Sequence, residues 1–349
     1  MTAHGGQFFS AAQQLGWSTE HALDQLLDFS ASLNPLQPDF DLNINPALLM
    51  HYPPEQANPL QQLLAEKLQL HTEQIRLTNG ISAAIFDFFN WLRPKQTLLY
   101  SPLYGEYARA AKLFSPHTQL IRRDLDTNSL VFPSQLNADS LVVLVNPATP
   151  DGRRYPRTQL IALLQHCQAH QSWLCIDESF LPFIGWQTEH SLRDQLAHYP
   201  KLIIFQSLTK YYGCAGIRIG AILAHPTQLE NWPQATWPIA TLDSLLMTQA
   251  LQQANFDART QAWLKQDKQD LITQLSDCRL IEKIYPSEAN FILLKLHTPA
   301  QPLAEYLARQ GLLIRACDNF GFNQPHIRLA VKTPAAHQRL ATALDNYPC

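Results

Sequence analysis

Apolar positions in this chain follow two spacings. Short continuous apolar runs of strand length occur at Thr97–Tyr100, Leu141–Val145, Trp173–Ile176, Leu202–Phe205 and Ile219–Leu223. Between them lie Leu60–Leu70, Ile81–Leu92, Tyr104–Leu113 and Thr158–Ala169, which read as helices from their apolar spacing. Strands that are apolar on both faces and alternate with helices predict an α/β domain, a mainly parallel sheet covered on both sides. The pattern changes near Pro233–Pro238. Two helices follow, Ile239–Ala254 and Ala258–Leu275, and then shorter strands at Leu280–Ile284, Phe291–Leu296 and Ile327–Val331 with two more helices, an α+β arrangement. The expected division is a large domain over 45–235 and a smaller α+β domain formed by 236–349, with the N-terminal 1–44 packing onto it.

Composition narrows the function. The chain has 349 residues, 46% of them hydrophobic, enough for a large core. Its formal net charge of -3 and lack of a basic block exclude nucleic acid as the main partner. Six cysteines are scattered without a CxxC pair, which fits reduced thiols in a cytoplasmic protein better than a disulfide framework or a zinc site. The opening MTAHGGQFFS lacks the basic and apolar regions of a signal peptide, and no apolar run is long enough to span a membrane. His166 and His170 stand at metal-ligand spacing on one helix, but the stretch is rich in Gln and His and reads as a solvated face, so no metal is expected.

One constellation carries chemistry. Ser207-Leu-Thr-Lys210 follows an apolar strand, and Arg218 stands soon after in Gly216-Ile-Arg-Ile-Gly220. Desolvation at a strand end lowers a lysine pKa and makes the amine a nucleophile toward an aldehyde. A serine and an arginine beside it suit a dianionic phosphate. The same SxxK also fits a penicillin-recognising serine hydrolase, but the SDN and KTG elements that chemistry needs are absent, Val331-Lys-Thr-Pro334 being the nearest approach. Asp177, at the end of the run Trp173–Ile176, is a carboxylate where α/β sheets gather ligands; it can pair with a pyridinium or cap a helix. Gly80, in Asn79-Gly80-Ile81-Ser82, opens a helix whose free N–H groups favour an anion.

These residues resemble the fold-type I pyridoxal-phosphate (PLP) enzymes of the aspartate aminotransferase superfamily. Within it they are similar to the threonine-phosphate decarboxylases of cobalamin biosynthesis, with histidinol-phosphate aminotransferases as close relatives. The decarboxylase likeness rests on His4-Gly5-Gly6, on Leu27-Asp-Phe-Ser-Ala-Ser-Leu-Asn-Pro-Leu36, on Phe180 in Asp177-Glu-Ser-Phe, on Leu313-Ile-Arg-Ala-Cys-Asp-Asn-Phe320 and on His326-Ile-Arg-Leu-Ala-Val331. The resemblance implies that Lys210 is the Schiff-base lysine and that Asp177 pairs with the pyridine nitrogen. It implies that Gly80, Ile81, Ser82, Ser207 and Arg218 hold the cofactor phosphate and that Tyr104 stacks on the ring. Tyr52 would reach the phosphate of a partner subunit, which implies a homodimer. Arg328 would clamp the substrate carboxylate, with Arg315 beside it in the matching segment. His4, Gly5, Gly6 and the loop carrying Ser30, Ser32 and Asn34 would surround the substrate phosphate.

Two departures stand out. Asn146-Pro-Ala-Thr-Pro-Asp-Gly152 replaces the usual NPNNPTG, so Thr149 occupies the place of the asparagine that bonds the cofactor's phenolic oxygen. Ser32 replaces an asparagine of the phosphate loop. The implied activity is decarboxylation of L-threonine O-3-phosphate. Transamination on the same cofactor is the alternative, and a PLP-binding paralogue with an altered substrate or no turnover a further one.

Overall fold

The computed structural model describes residues 5–53 and 59–348 and divides into two compact units, 36–148 with 154–257, and 1–35 with 149–153 and 258–349. The larger holds a seven-stranded sheet in the order Ile75–Thr78, Gly220–Ala224, Leu202–Ser207, Trp173–Asp177, Leu141–Val145, Gln96–Ser101, His117–Arg122. Four of its six pairings are parallel; Gly220–Ala224 runs against both its neighbours. The central runs are buried at every position, as strands covered on both faces must be. Helix Gly80–Leu92 buries Ala84, Ile85, Phe88 and Phe89, a one-sided stripe that packs with Phe205, Trp173 and Trp232. It ends at Arg93, which adopts a left-handed conformation.

Helix Thr241–Gln252 goes with this larger unit, although the change of pattern near Pro233 puts it beyond the expected boundary. The reason is local pairing. It packs on helix Pro59–Leu68, and its Gln249 and Gln253 side chains bond the main chain at Asp41 and Asp39. That also ties the segment after Pro35 to the larger unit.

The smaller unit is built on an antiparallel sheet ordered Arg315–Ala316, His326–Ala330, Phe291–Leu296, Ile281–Ile284, with a short parallel pair, Leu27–Asp28 beside Leu312–Leu313. Its N-terminal helices Phe8–Gln14 and Thr19–Gln25 bury Ala11, Ala12, Ala22 and Leu26 in a cluster with Leu313. Among the described residues no helix is long and apolar enough to cross a membrane.

Candidate active site

The larger unit gathers its chemistry where parallel strands end. Thr78, Gly220 and Ser207 lie opposite one another on three adjacent strands. Each is a step away from a candidate residue: Gly80 and Ile81 after Thr78, Arg218 before Gly220, Thr209 and Lys210 after Ser207. Gly80 has φ +70, and a Cβ built on it would lie 2.6 Å from Arg218 Nη2. Only glycine leaves both the turn and that space open. A Cβ on Gly220 would meet Ile81 Cδ1 at 2.7 Å, so the strand start and the helix start are held in contact. A helix opening with free N–H groups, an arginine against it and the Ser207 and Thr209 hydroxyls, 3.2 Å apart, make a cradle for a dianion.

Asp177 closes the strand Trp173–Asp177 and is buried. Its Oδ2 accepts a hydrogen bond from the Tyr107 hydroxyl at 2.9 Å, and its Oδ1 accepts one from the Ser179 N–H at 2.9 Å. Burial, and then the Asp177 charge, push the Tyr107 phenol well above its usual range, so it stays a donor. The two donors hold Asp177 as an oriented carboxylate. Tyr104 pairs its hydroxyl with Ser82 Oγ at 2.9 Å, and Asp177 and Arg218 both act electrostatically on it. Lys210, half-buried, holds Nζ 4.4 Å from the centroid of the Phe180 ring. The Phe180 ring face thus lies under the lysine amine, a cation–π contact.

The carboxylate, the lysine and the cradle fit one group, pyridoxal 5'-phosphate. The helix start at Gly80 with the Arg218 guanidinium close against it suits its phosphate, and the buried carboxylate held by two donors suits a protonated ring nitrogen.

The smaller unit assembles a separate set. Arg315 and Arg328 are directly opposed on neighbouring antiparallel strands. Arg328 donates from Nη1 to Thr149 Oγ1 and from Nη2 to the Ser30 carbonyl, both at 2.9 Å. Its Nε is buried with no hydrogen-bond partner, and burial pushes the guanidinium down to about 10. Thr149 therefore accepts from Arg328 and keeps its own proton to donate elsewhere. Arg315 bonds the Ala316 carbonyl and Asn319. Gly6 N–H donates to Ser30 Oγ, whereas Asn34 turns its amide to Thr260 and Ser32 offers its carbonyl to Asn290. His4 lies outside the described residues.

Tyr52 is not drawn into either group. It is 75% exposed and stacks on Trp237, ring centroids 3.9 Å apart. Sequence reasoning missed Tyr107, Thr209 and Lys332. Tyr107 lies one helical turn after Tyr104, and Thr209 lies inside the SxxK run itself. Lys332 directs Nζ to the Ala31 carbonyl at 3.5 Å and follows the strand that carries Arg328. His166 Nε2 pairs with the Pro133 carbonyl, and no group of three or more metal-ligating side chains occurs among the described residues.

Comparison with known proteins fixes the family. The sequence matches aminotransferase class I and II over residues 44–344. The chain belongs to that family. It is 30% identical to the threonine-phosphate decarboxylase of Salmonella typhimurium, across 99% of this chain and 96% of that protein. It is 28% identical to histidinol-phosphate aminotransferase 1 of Legionella pneumophila (strain Paris), across 82% and 80%. The crystal structure of L-threonine-O-3-phosphate decarboxylase from Porphyromonas gingivalis superposes with a TM-score of 0.74 at 26% identity, covering 86% of this chain and 91% of that one. The family member described here is thus related to both enzymes, and its cofactor is PLP.

Proposed function

We propose that this enzyme decarboxylates L-threonine O-3-phosphate to (R)-1-amino-2-propanol O-2-phosphate, the aminopropanol linker precursor of cobalamin. The observation that carries this reading is the cation set of the smaller unit. Like charges placed directly opposite in a sheet repel. Arg315 and Arg328 nevertheless share a rung, with Lys332 reaching the adjoining loop. Asp28 and Asp318 act on these cations from within the chain, and a ligand of high negative charge would add to that. A phospho-amino acid offers a carboxylate and a phosphate of about −1.5 to −2 at neutral pH. Histidinol phosphate lacks the carboxylate.

In this reading the Gly80–Ile81 helix start, Ser207, Thr209 and Arg218 bind the cofactor phosphate, and Asp177, oriented by Tyr107 and Ser179 N–H, holds the proton on the ring nitrogen. Bound PLP supplies an electron sink for the pair released when a bond to Cα breaks. Lys210 is the residue that would hold PLP covalently; its amine, once free and carrying the proton given up by the substrate ammonium, would deliver that proton to the Cα that has lost CO₂. Arg328 is the residue that would take the substrate carboxylate. That grip turns the Cα–carboxylate bond to the angle at which it breaks, a positioning effect.

The test is incubation of PLP-loaded protein with threonine phosphate, with detection of CO₂ and of the amino-alcohol phosphate by mass. Turnover of histidinol phosphate with 2-oxoglutarate and no CO₂ would overturn the proposal. That second reading draws on the similarity to histidinol-phosphate aminotransferases. We place the enzyme in the cytoplasm as a homodimer. Leu42, Leu48, Leu49, Met50 and Tyr52 are all exposed within one stretch, an apolar surface suited to a second copy.

A further inference from the structure

We propose that Ser30 is a positioning residue for substrate specificity: it latches the Gly5–Gly6 main chain to the turn at Asp28 and leaves contact with the substrate phosphate to other groups. The inference rests on the phospho-amino-acid reading above and sharpens it. A hydroxyl has one proton to give. That of Ser30 goes to Asp28 Oδ1 at 2.6 Å, a short charge-assisted bond, and its oxygen accepts the Gly6 N–H at 2.9 Å. The same Asp28 Oδ1 accepts the N–H groups of Ser30 at 2.8 Å and Ala31 at 3.1 Å. Ser30 is buried, with its proton already committed.

The latch registers two things at once. On one side the Ser30 carbonyl accepts from Arg328 Nη2. On the other, Gly5 packs so closely that a Cβ on it would lie 2.3 Å from that same carbonyl oxygen. The Gly5–Gly6 segment and the Arg328 guanidinium are therefore both gauged from one residue, and Lys332 reaches the next carbonyl, that of Ala31, at 3.5 Å. Loss of the Ser30 hydroxyl frees the glycine segment while leaving Arg328 its carbonyl partner. Recognition of the phosphate should weaken and recognition of the amino-acid part should not.

The experiment follows the change in the visible absorbance band of PLP-loaded protein on titration with L-threonine O-3-phosphate and, separately, with L-threonine. Ser30→Ala is expected to raise the half-saturating concentration of threonine phosphate about tenfold, the loss of one positioned hydrogen bond. It is expected to leave the threonine titration and the starting band unchanged. Gly5→Ala, whose methyl group would displace the Ser30 carbonyl that Arg328 uses, should weaken binding of both ligands. Asp28→Asn, which keeps an oxygen acceptor, should retain the preference for the phosphorylated ligand, and Asp28→Ala should lose it. A Ser30→Ala protein that keeps the wild-type preference, or that weakens for both ligands equally, overturns the latch alone. Wild-type protein indifferent to the phosphate would overturn the substrate reading, and the latch with it.

Discussion

Asp177 has both carboxylate oxygens engaged, and the hydroxyl that orients it belongs to a tyrosine seventy positions earlier in the chain. Tyr107→Phe keeps the ring, which stacks near Phe205, and removes only the donor. Turnover by the PLP-loaded enzyme is expected to fall about tenfold, the effect of one hydrogen bond to a charged group, with little change in melting temperature. Equal rates for the two proteins would remove Tyr107 from the site. The neighbouring Glu178 behaves differently. It is fully buried, and desolvation pushes its carboxyl up to about 7, against a partial opposing pull from the Ser191 hydroxyl. The folded state then binds this proton more tightly than the unfolded chain, whose carboxyl titrates near 4.5. The stability it contributes is complete below that value and is lost as pH rises through about 7, a change on the order of 3 kcal/mol. Glu178→Gln should flatten this part of the profile, raising the melting temperature at pH 8 relative to wild type more than at pH 5. Calorimetry at the two pH values checks it. Lys210 and Asp177 stand out as candidates in the sequence because each sits in a short local pattern at the end of an apolar run. Tyr107 and Lys332 were not, because their partners come from other strands and no spacing along the chain announces them. Ser30 is a candidate from the sequence alone, but its hydrogen bonds to Asp28 and Gly6 are not announced by its residue type.

The helix Gly80–Leu92 joins local chemistry to cofactor binding. Its first residue needs a positive φ and the space in front of Arg218 at once. Gly80→Ala meets both obstacles and should weaken PLP binding at least about tenfold, since strain of roughly 1–2 kcal/mol adds to the displaced guanidinium. Equilibrium dialysis against PLP measures this; unchanged affinity would mean that the phosphate lies elsewhere. The buried strands were legible to within about a residue or two, because continuous apolar runs leave few alternatives. The edge strands were not. Ile75–Thr78 has four residues and an arginine within it, and its pairing with Gly220–Ala224 defines it. His117–Arg122 is exposed along most of its length, so it carries no burial pattern to read. The strands Leu27–Asp28 and Arg315–Ala316 are two residues each and exist only through their partners.

For the whole molecule, the α/β class and the presence of a second, smaller α+β unit followed from the change in apolar spacing, but the boundaries did not. Helix Thr241–Gln252 reads like the helix after it, and its packing on Pro59–Leu68 and its glutamines on Asp39 and Asp41 tie it to the larger unit. The exposed stretch from Leu42 to Tyr52 bears on assembly. Light scattering is expected to give twice the chain mass of 39.6 kDa, and Leu49→Asp to shift the population to single chains. A wild-type mass of one chain would dispose of the dimer. The shared rung of Thr78, Gly220 and Ser207 has a consequence for how the protein matures. It joins residues that emerge from synthesis far apart, so the phosphate cradle cannot exist until the last of these strands has docked. PLP accordingly selects finished molecules, adding about 2.7 kcal/mol of stability at a hundredfold excess over its dissociation constant. Hydrogen exchange in Ile75–Thr78 and Gly220–Ala224 should slow when PLP is added. In a cell short of the vitamin, more chains would lack this stabilisation and stand open to degradation.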